Sequence, residues 1–275
     1  MTQRYEASPR EVERMNTQEL RADFLIENLF QAGEATFVYS HYDRMVVGGV
    51  VPTEAAIELA NYDTLRSAYF LERREVGIIN IGGTGTIEAD GTTYTLERLS
   101  SLYLGKGTEK VSFQSSEASP AKFYLFSAPA HRQFPNTLYT KEQAAPVVLG
   151  SSQTSNHRTI FKYIHPEGIA SCQVVMGLTV LEEGSVWNTM PAHTHDRRSE
   201  IYCYFDVSEN QGVMHFMGQP QETRHLWVQN EQAIISPPWS IHAGAGTMNY
   251  AFIWAMAGEN QDFTDMDFIE LKRMK

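Results

Sequence analysis

Short runs of apolar residues, alternating with polar ones or continuous, dominate the chain from residue 35 onward, with glycine, aspartate and asparagine between them. Such runs, rich in Val, Ile, Thr and aromatic residues, are typical of β-strands. Asp90-Gly91 predicts a tight hairpin. Regularly spaced short strands predict an all-β protein of two sandwiches or barrels. The predicted strands are 36–42, 45–51, 76–81, 84–89, 92–96, 158–164, 172–181, 187–190, 200–207, 212–218, 225–228, 233–236 and 250–256.

Helices are predicted mainly before the first strand. Ser8-Pro9-Arg10-Glu11 has the spacing of a capping box with proline at the first helical position. Thr17 is a candidate N-cap for a second helix, and residues 61–72 are a candidate helical insertion between strands. The apolar stripe of the second helix is formed by Leu20, Phe24, Leu25 and Leu29.

The predicted strands fall into two halves, separated by a small and polar stretch at 146–156 that is typical of a linker. Residues 83–96, leading to 102–108, resemble part of the second half. The first half lacks His-x-His, and Glu109 and Lys110 stand where a distant histidine would fall, so we expect it to bind no metal. We predict an N-terminal helical segment at 1–34, a metal-free β-barrel at 35–150 and a metal-binding β-barrel at 151–275.

The second half contains a group of residues with metal-ligand chemistry. His193 and His195 are one residue apart, so their side chains point to the same side of an extended strand. Glu200 follows a polar run, and His242 follows the Pro237-Pro238 corner. Three imidazoles and a carboxylate suit Zn, Fe, Mn, Co or Ni, and a five- or six-coordinate ion would keep room for a substrate. A single buried histidine is more often a hydrogen-bonded core residue, but this compound pattern favours a metal.

Composition narrows the classes of function. The 275 residues are 42% hydrophobic and 20% charged, which is ordinary for a globular protein. A formal net charge of -11 argues against binding nucleic acid or an anionic membrane surface. The chain shows no apolar run long enough for a spanning helix, and its amino terminus lacks the apolar core of a signal peptide, so we expect a cytoplasmic protein.

Two other sequence features are interpreted as structural. Cys172 and Cys203 each lie in a strand-like run and not in a Cys-x-x-Cys pair, so we expect free, buried thiols. Gly82-Gly83-Thr84-Gly85 resembles a phosphate-binding loop. Such a loop needs a helix after the glycines, whereas another strand is predicted here, so we reject that interpretation.

The metal-ligand pattern resembles the two motifs of the cupin superfamily. Gly184, the His193-Thr194-His195 triplet and Glu200 resemble the first motif, and Pro237 to His242 has the interval of the second. Two departures are that Trp239 replaces a glycine and that the first gap is longer than usual. The chain resembles one subfamily, the 5-keto-4-deoxyuronate isomerases, at residues 104–107, 122–124, 155–160, 163–165, 173–179 and 187–191.

This resemblance implies a fold, a cofactor and a reaction. The fold is a tandem cupin of two jelly-roll β-barrels, typically assembled as a homohexamer, and the cofactor is one zinc ion per subunit. The implied reaction converts 5-dehydro-4-deoxy-D-glucuronate, also called 4-deoxy-L-threo-5-hexosulose uronate, to 3-deoxy-D-glycero-2,5-hexodiulosonate in pectin and uronate breakdown. It moves a carbonyl along an open-chain sugar acid by an enediol or a hydride shift. The implied zinc ligands are His193, His195, Glu200 and His242.

This chemistry requires a cationic clamp for the substrate carboxylate. Arg158 and Lys162 lie four residues apart on one predicted strand and can share a face, which makes them the preferred candidates. Arg197 lies in the turn between the metal ligands and is a third candidate. Solvated surface charge is the alternative interpretation for each of the three cations.

The proton-transfer residue is the least constrained part of the prediction. Glu200 and Tyr204 are the catalytic candidates, and Tyr163, Tyr202 and His225 remain alternatives. Alternation places Glu200, Tyr202 and Tyr204 on one face of a strand, so Tyr202 is a candidate for binding substrate. Further candidates for an apolar wall, with core packing as the alternative, are Trp254 and Met256.

Three other functions remain open at this point. The nearest is the 5-deoxy-glucuronate isomerase reaction of inositol breakdown. A cupin dioxygenase would use the same ligand set with iron and oxygen. A sugar-binding protein without turnover would use the ion only to stabilise its barrel.

Overall fold

The computed structural model describes residues 1–116, 118–259 and 265–275. Within these ranges the chain is mostly β-strand with two short α-helices, α1 (Pro9–Val12) and α2 (Thr17–Phe24), which confirms the prediction of a mainly β protein. The first twelve strands are β1 (Thr2–Arg4), β2 (Leu25–Ile26), β3 (Ala35–Ser40), β4 (Val46–Val50), β5 (Ile57–Glu58), β6 (Arg74–Asn80), β7 (Gly85–Ala89), β8 (Thr92–Leu96), β9 (Ser101–Leu104), β10 (Val111–Ser115), β11 (Phe123–Pro129) and β12 (Thr137–Tyr139). The others are β13 (Val147–Leu149), β14 (Arg158–Ile164), β15 (Val175–Leu181), β16 (Trp187–Asn188), β17 (His193–Thr194), β18 (Arg198–Phe205), β19 (Val213–Gln219), β20 (Glu222–Val228), β21 (Gln232–Ser236), β22 (Ala243–Gly246), β23 (Ala251–Gly258) and β24 (Asp267–Phe268).

The N-terminal helices begin at side-chain caps. The predicted capping box of Ser8 and Glu11 is confirmed at α1. The prediction of Thr17 as N-cap was wrong, because Asn16 accepts hydrogen bonds from the backbone N–H groups of Gln18 and Glu19. Asparagine is a favoured N-cap because its carbonyl satisfies these otherwise unpaired donors. The apolar stripe also extends past the helix, which ends at Phe24 before β2 begins.

The predicted helical insertion at 61–72 was wrong. This segment forms only one 3-10 turn, Asp63–Leu65, followed by Arg66 with a left-handed φ of 50°. A non-glycine residue in that conformation ends a helix, and no side chain caps its start. The insertion is therefore mostly turn. No helix within the described ranges is long and apolar enough to cross a membrane.

The chain divides into two compact units. The first comprises Met1–Gln3, Asn28–Ala145 and Lys162–Met176, and the second comprises Arg4–Glu27, Pro146–Phe161 and Gly177–Lys275. The N-terminal helices thus belong to the second unit, and α2 contacts strands β2, β20 and β21. The boundaries predicted from the sequence, at 1–34, 35–150 and 151–275, stay a prediction.

Two antiparallel sheets account for most of the first unit. One has the strand order β1-β3-β4-β11-β6-β9-β12, and the other has the order β5-β10-β7-β8. The predicted hairpin is confirmed, because Asp90 and Gly91 both have positive φ and connect β7 to β8. The core consists of buried aliphatic and aromatic residues, including Val76, Ile78, Ile87, Phe113 and Leu125.

A buried carboxylate organises one end of the first unit. Glu75 is fully buried on β6 and accepts hydrogen bonds from the backbone N–H groups of Cys172, Gln173 and Val174 at 2.7–2.8 Å. The hydroxyl of Tyr103 donates a fourth bond at 2.6 Å. A buried carboxylate is tolerated when charge-assisted bonds replace its lost hydration. Glu75 therefore fixes the segment that leads into β15.

The second unit also contains two antiparallel sheets. Their orders are β13-β14-β15-β23-β18-β21-β2 and β16-β22-β19-β20. Part of the predicted linker is a strand, because Val147 to Leu149 pairs with β14. Cys203 is buried on β18, whereas Cys172 is only partly buried and precedes β15, which corrects its predicted burial. Both thiols are free, as predicted.

Replacing the buried carboxylate should destabilise the protein. The Glu75→Gln variant is expected to lose about 1.5–3 kcal/mol of unfolding free energy, because an amide weakens the charge-assisted bonds and brings N–H groups against N–H donors. Chemical denaturation measures this loss. The matched control is Glu88→Gln, an exposed position on β7, where a change within about 0.5 kcal/mol is expected. Equal effects at the two positions would contradict the role of Glu75.

Candidate metal centre

Three chain segments of the second unit bring the four predicted ligands together. His193 lies on the short strand β17, His195 directly follows it, and Glu200 lies on β18 between strands β21 and β23. His242 directly precedes β22. All four side chains are almost completely buried, with at most 9% of any residue exposed. The sequence prediction that these residues form one group is confirmed.

The spacing of the donor atoms fits a metal ion. Glu200 Oε2 lies 3.1 Å from Nε2 of His195 and 3.0 Å from Nε2 of His242. The Nε2 atoms of His242 and His193 are 3.0 Å apart, and all four donors lie within 4.8 Å of one another. Cis ligands of an octahedral ion at about 2.1 Å are about 3.0 Å apart. The donor set therefore fits a divalent ion with nitrogen and oxygen ligands.

Hydrogen bonds at Nδ1 of two ligand histidines determine that their Nε2 atoms face the metal centre. Nδ1 of His195 lies 2.9 Å from the carbonyl oxygen of Arg198, and Nδ1 of His242 lies 3.3 Å from Oγ of Ser236. A ring that donates through Nδ1 keeps Nε2 as an acceptor, which is the form that binds a metal. These contacts direct both Nε2 atoms toward Glu200.

Burial and charge set the protonation of the ligands. Burial, with the nearby charges of His195 and Arg198, lowers the pKa of His193 to about 3. The pKa of His242 is lowered well below its ordinary value, mainly by burial. Burial also opposes the charged form of His195, but the hydrogen bond and charge of Glu200 outweigh it and raise the pKa. A metal binds neutral imidazoles, so the lowered pKa values of His193 and His242 favour metal binding, whereas a metal must displace the proton that Glu200 stabilises on His195.

The loop before His242 is anchored to the end of β19. The backbone N–H of Gly218 donates to Oγ of Ser240 at 2.9 Å, and the N–H of Ile241 donates to the carbonyl of Gly218 at 2.9 Å. Ile241 is fully buried against Ala192 and Ala243. The loop therefore holds His242 at a fixed position next to β17.

The C-terminal strand β24 supports a second histidine ligand, His193. Strand β24 pairs with β17, which places Phe268 opposite His193 with their rings 5.7 Å apart. Arg198, whose carbonyl orients His195, is fully buried and forms an ion pair with Asp265 at 2.6 Å. A buried ion pair restricts geometry even where its net stabilisation is small. The turn between His195 and Glu200 is thus held by the pairing of β17 with β24 and by the ion pair of Arg198 with Asp265.

The predicted substrate-binding residues Tyr202, Trp254 and Met256 lie on the two central strands of the larger sheet. Strand register places Met256 beside Glu200 and Trp254 beside Tyr202, and residues paired this way project to the same face. Tyr202 is buried, its hydroxyl is 2.9 Å from Oγ1 of Thr189, and its ring centroid is 5.4 Å from that of His242. Tyr202 therefore lines the metal centre, and all three side chains are buried.

The three predicted cations differ in position. Arg158 is half-buried on β14, donates to the carbonyl of Asn156 at 2.9 Å and is electrostatically coupled to Tyr202. Lys162 lies further along β14, in the first unit, where its charge lowers the pKa of His165 in addition to burial. Arg197 is 55% exposed and lies 3.9 Å from Asp265. Their roles in binding substrate stay predictions.

Behind Tyr202 lies a buried polar network that the sequence prediction only partly named. The Tyr204 hydroxyl lies 2.7 Å from Nδ1 of His215, and the Tyr250 hydroxyl donates to Oδ1 of Asn188 at 2.7 Å. Nδ2 of Asn188 donates to Oγ1 of Thr189 at 3.2 Å. Four of these residues are fully or almost fully buried. The network thus connects the hydroxyl of Tyr202, through Thr189, to the interior of the unit.

A glycine creates the space for this network. A Cβ atom at residue 244 would lie 2.3 Å from Oδ1 of Asn188 and 3.0 Å from the Tyr204 hydroxyl, so only glycine fits without displacing them. The alternation of Val213, His215 and Met217 on β19 was the available signal that His215 points inward. Of the alternative proton-transfer residues, His225 is exposed on β20, and Tyr163 bonds to the carbonyl of Leu99 in the first unit.

Comparison with known proteins gives the family. The profile of the KduI/IolB family matches residues 24–271. The chain belongs to the KduI/IolB family. It is 56% identical over 276 residues to the 4-deoxy-L-threo-5-hexosulose-uronate ketol-isomerase of Halalkalibacterium halodurans, and 51% identical over 276 residues to that of Caldicellulosiruptor bescii, with all of both chains covered in each case. The resemblance inferred from the sequence is confirmed, and this family member is an isomerase of the intramolecular oxidoreductase class.

Solved structures confirm the cupin-like fold of this family member. An IolB-like protein from Salmonella typhimurium superimposes with a TM-score of 0.72 at 14% identity, covering 90% of this chain and 96% of that chain. Oxalate decarboxylase from Bacillus subtilis, whose Mn(II) centres have been characterised, superimposes with a TM-score of 0.59 at 13% identity, covering 90% and 78%. At these identities the likeness concerns the fold alone.

Removing one ligand should release the metal without unfolding the protein. The His195→Ala variant is expected to lose bound metal on dialysis, because only three of the four donors remain. Metal content per chain and circular dichroism measure the two effects. His131→Ala, at an exposed histidine, is the control and should keep its metal. Unfolding of the metal-depleted variant would instead indicate that the ion serves mainly the fold.

Proposed function

We propose that this protein is a zinc-dependent ketol-isomerase that converts 4-deoxy-L-threo-5-hexosulose uronate to 3-deoxy-D-glycero-2,5-hexodiulosonate. The observation that carries the proposal is the buried group of three histidines and a glutamate in a chain aligned along its whole length with relatives named for this activity. The proposal includes a tandem arrangement of two jelly-roll β-barrels of the cupin type and assembly as a homohexamer.

The donor set supports a metal role in this chemistry. Zinc binds imidazole nitrogen and carboxylate oxygen at about 2.0–2.2 Å, which is compatible with the distances of 3.1 and 3.0 Å from Oε2 of Glu200 to Nε2 of His195 and of His242. Bound there, the ion supplies a Lewis acid that favours negative charge developing on substrate oxygens. Iron, manganese, cobalt and nickel accept the same ligands, so the donor set alone does not choose among them.

The two predicted catalytic residues differ in what they offer the substrate. Burial raises the pKa of Tyr204 well above its ordinary value, so its hydroxyl keeps its proton at neutral pH and acts only as a hydrogen-bonding group. Glu200 approaches the two histidines through Oε2. Its Oε1 is therefore the proposed proton acceptor. It would take a proton from the hydroxyl-bearing carbon next to the substrate carbonyl and return it to the carbonyl carbon, while the hydroxyl proton moves to the former carbonyl oxygen.

Arg158 is the proposed partner of the substrate carboxylate. It lies on β14, is half-buried, and is close enough to Tyr202 to oppose the rise that burial causes in the pKa of that residue. The ring centroid of Tyr202 lies 5.4 Å from that of the ligand His242. A guanidinium binds a carboxylate through two parallel hydrogen bonds, which fixes the orientation of the acid as well as its position. Orientation of this kind contributes much of the rate in reactions of flexible substrates.

The 5-deoxy-glucuronate isomerase reaction is the second candidate, as the nearest alternative left open by the sequence. The identities of 51–56% to proteins named as uronate ketol-isomerases favour the first candidate. Both reactions move a carbonyl in an open-chain uronate, so the same centre serves either chemistry.

The isomerase assay tests the proposed function directly. Purified zinc-loaded protein is expected to convert 4-deoxy-L-threo-5-hexosulose uronate to the 2,5-diketo acid, followed by NMR, and a chelator should abolish the conversion until zinc is restored. 5-Deoxy-glucuronate is the comparison substrate. Full activity after metal removal would refute the metal-dependent mechanism, and preference for 5-deoxy-glucuronate would replace the first candidate with the second.

Removing the proposed clamp should weaken substrate binding selectively. Arg158→Ala is expected to raise KM by roughly 10–100-fold, because a charge-assisted hydrogen bond contributes about 1.5–3 kcal/mol. Steady-state kinetics and thermal melting measure the effect on binding and on stability. Arg158→Lys, which keeps the charge but not the paired geometry, should fall between the wild type and alanine. Unchanged kinetics in the alanine variant would remove Arg158 from the site.

A further inference from the structure

The polar network behind the metal centre determines which ring nitrogen of His215 carries the proton. Oδ1 of Asn188 accepts a hydrogen bond from the hydroxyl of Tyr250. Among the residues that the structure describes, the hydroxyl of Tyr204 has one hydrogen-bond partner, Nδ1 of His215, at 2.7 Å. If Nδ1–H donated across this contact, the buried phenol proton and Nε2 of His215 would both lack a partner, so the Tyr204 hydroxyl donates to Nδ1.

A histidine that accepts at Nδ1 carries its proton on Nε2. Burial lowers the pKa of His215 to about 3, so the ring is neutral and has one N–H group. The network fixes that group at Nε2. This atom is fully buried and has no hydrogen-bond partner among the residues that the structure describes. An unsatisfied buried donor costs about 1–3 kcal/mol, so a hydrogen-bond partner other than these residues is expected for it.

The position of His215 indicates which partner that is. His215 pairs with Gly244 across β19 and β22, and Gly244 and the ligand His242 are two residues apart, so their positions share one face of the sheet. The ring of Tyr202 contacts both histidines, with centroids 5.8 Å from His215 and 5.4 Å from His242. His215 is also close enough to influence the pKa of His242, after burial and the other ligands. The free N–H group therefore belongs to the surroundings of the metal centre.

We propose that His215 is a substrate-contacting residue whose Nε2–H donates a hydrogen bond to a carbonyl or hydroxyl oxygen of the bound open-chain sugar acid. This inference rests on the proposed function. The neutral imidazole keeps its proton throughout and stabilises charge on the oxygen, as a preorganised donor does. Tyr204 then acts through His215, because its hydroxyl holds the ring in the tautomer that presents the donor.

Two substitutions at one position separate this role from a structural one. His215→Asn keeps an acceptor near Nδ1 for the Tyr204 hydroxyl but removes the donor at Nε2, whereas His215→Gln places an amide N–H near Nε2. In the zinc-loaded protein we expect the asparagine variant to lose about 100-fold in kcat/KM and the glutamine variant to stay within about tenfold of wild type. Metal content and melting temperature should stay near wild type in the asparagine variant. His131→Gln is the control for the substitution itself.

Which of the two variants has the higher kcat/KM decides between a substrate contact and a structural role. A structural role in the Tyr204 network predicts the reverse order, because asparagine preserves that bond, and either the reverse order or equal activities would overturn the proposal. Ring-¹⁵N NMR of the wild-type holoprotein gives a measurement that does not depend on variants. It should show His215 as the Nε2–H tautomer with a resonance that shifts on adding substrate, and an Nδ1–H tautomer would overturn the proposal.

A binding experiment separates this inference from the proposed function. The probe is D-gluconate, an open-chain polyhydroxy acid, titrated calorimetrically into the zinc-loaded protein. Wild-type protein that binds gluconate but does not isomerise the uronate would refute the proposed function, while at least tenfold weaker binding by His215→Asn alone would still support the contact with a sugar acid. Equal binding by both variants, or no binding by the wild type, would overturn the inference.

Discussion

The convergence of three imidazoles and one carboxylate on a single buried volume is the constraint on which the rest of this site depends. Nε2 of His195 and His242 both lie about 3 Å from Oε2 of Glu200, and none of these groups is exposed enough to be hydrated. Without an ion, such a cluster must share protons among close donors at a cost in desolvation. The surrounding structure, from the anchored Ser240 loop to the Arg198–Asp265 ion pair, keeps these donors together.

The larger sheet of the second unit turns that cluster into a site for chemistry. Strand β18 carries Glu200, Tyr202 and Tyr204 at alternate positions, so one face presents a ligand and two hydroxyl groups in sequence. The hydroxyls are not isolated, because Thr189, Asn188 and His215 complete their hydrogen bonds. A preorganised polar wall beside the metal-ligand group suits the proposed substrate, an open-chain sugar acid whose oxygens must be held while a proton moves.

Local patterns in the sequence were enough to predict the metal ligands and most strands. Alternation placed His193 with His195, and β8 and β14 begin and end at the predicted residues. The errors have local physical causes. Asn16, the residue before Thr17, caps α2 with its side chain. In the segment predicted to be a helical insertion, the left-handed conformation of Arg66 ends a single 3-10 turn.

The contacts that orient the ligands were beyond the sequence pattern because they join distant segments. Asp265 pairs with Arg198 across more than sixty residues of chain, and Tyr250, which directly precedes β23, donates to Asn188, 62 residues earlier in the chain. His215 carried only a weak signal, its inward position on β19. A single histidine in a strand is usually a core residue, so its importance emerges only when the tautomer is set by its neighbours.

The most direct test of the metal centre is anomalous X-ray diffraction from crystals of the zinc-loaded protein, measured on both sides of the zinc absorption edge. One strong anomalous peak is expected per chain, bounded by Nε2 of His193, His195 and His242 and by the carboxylate of Glu200. Zinc bound only elsewhere, or no peak among these four side chains at full loading, would contradict this account.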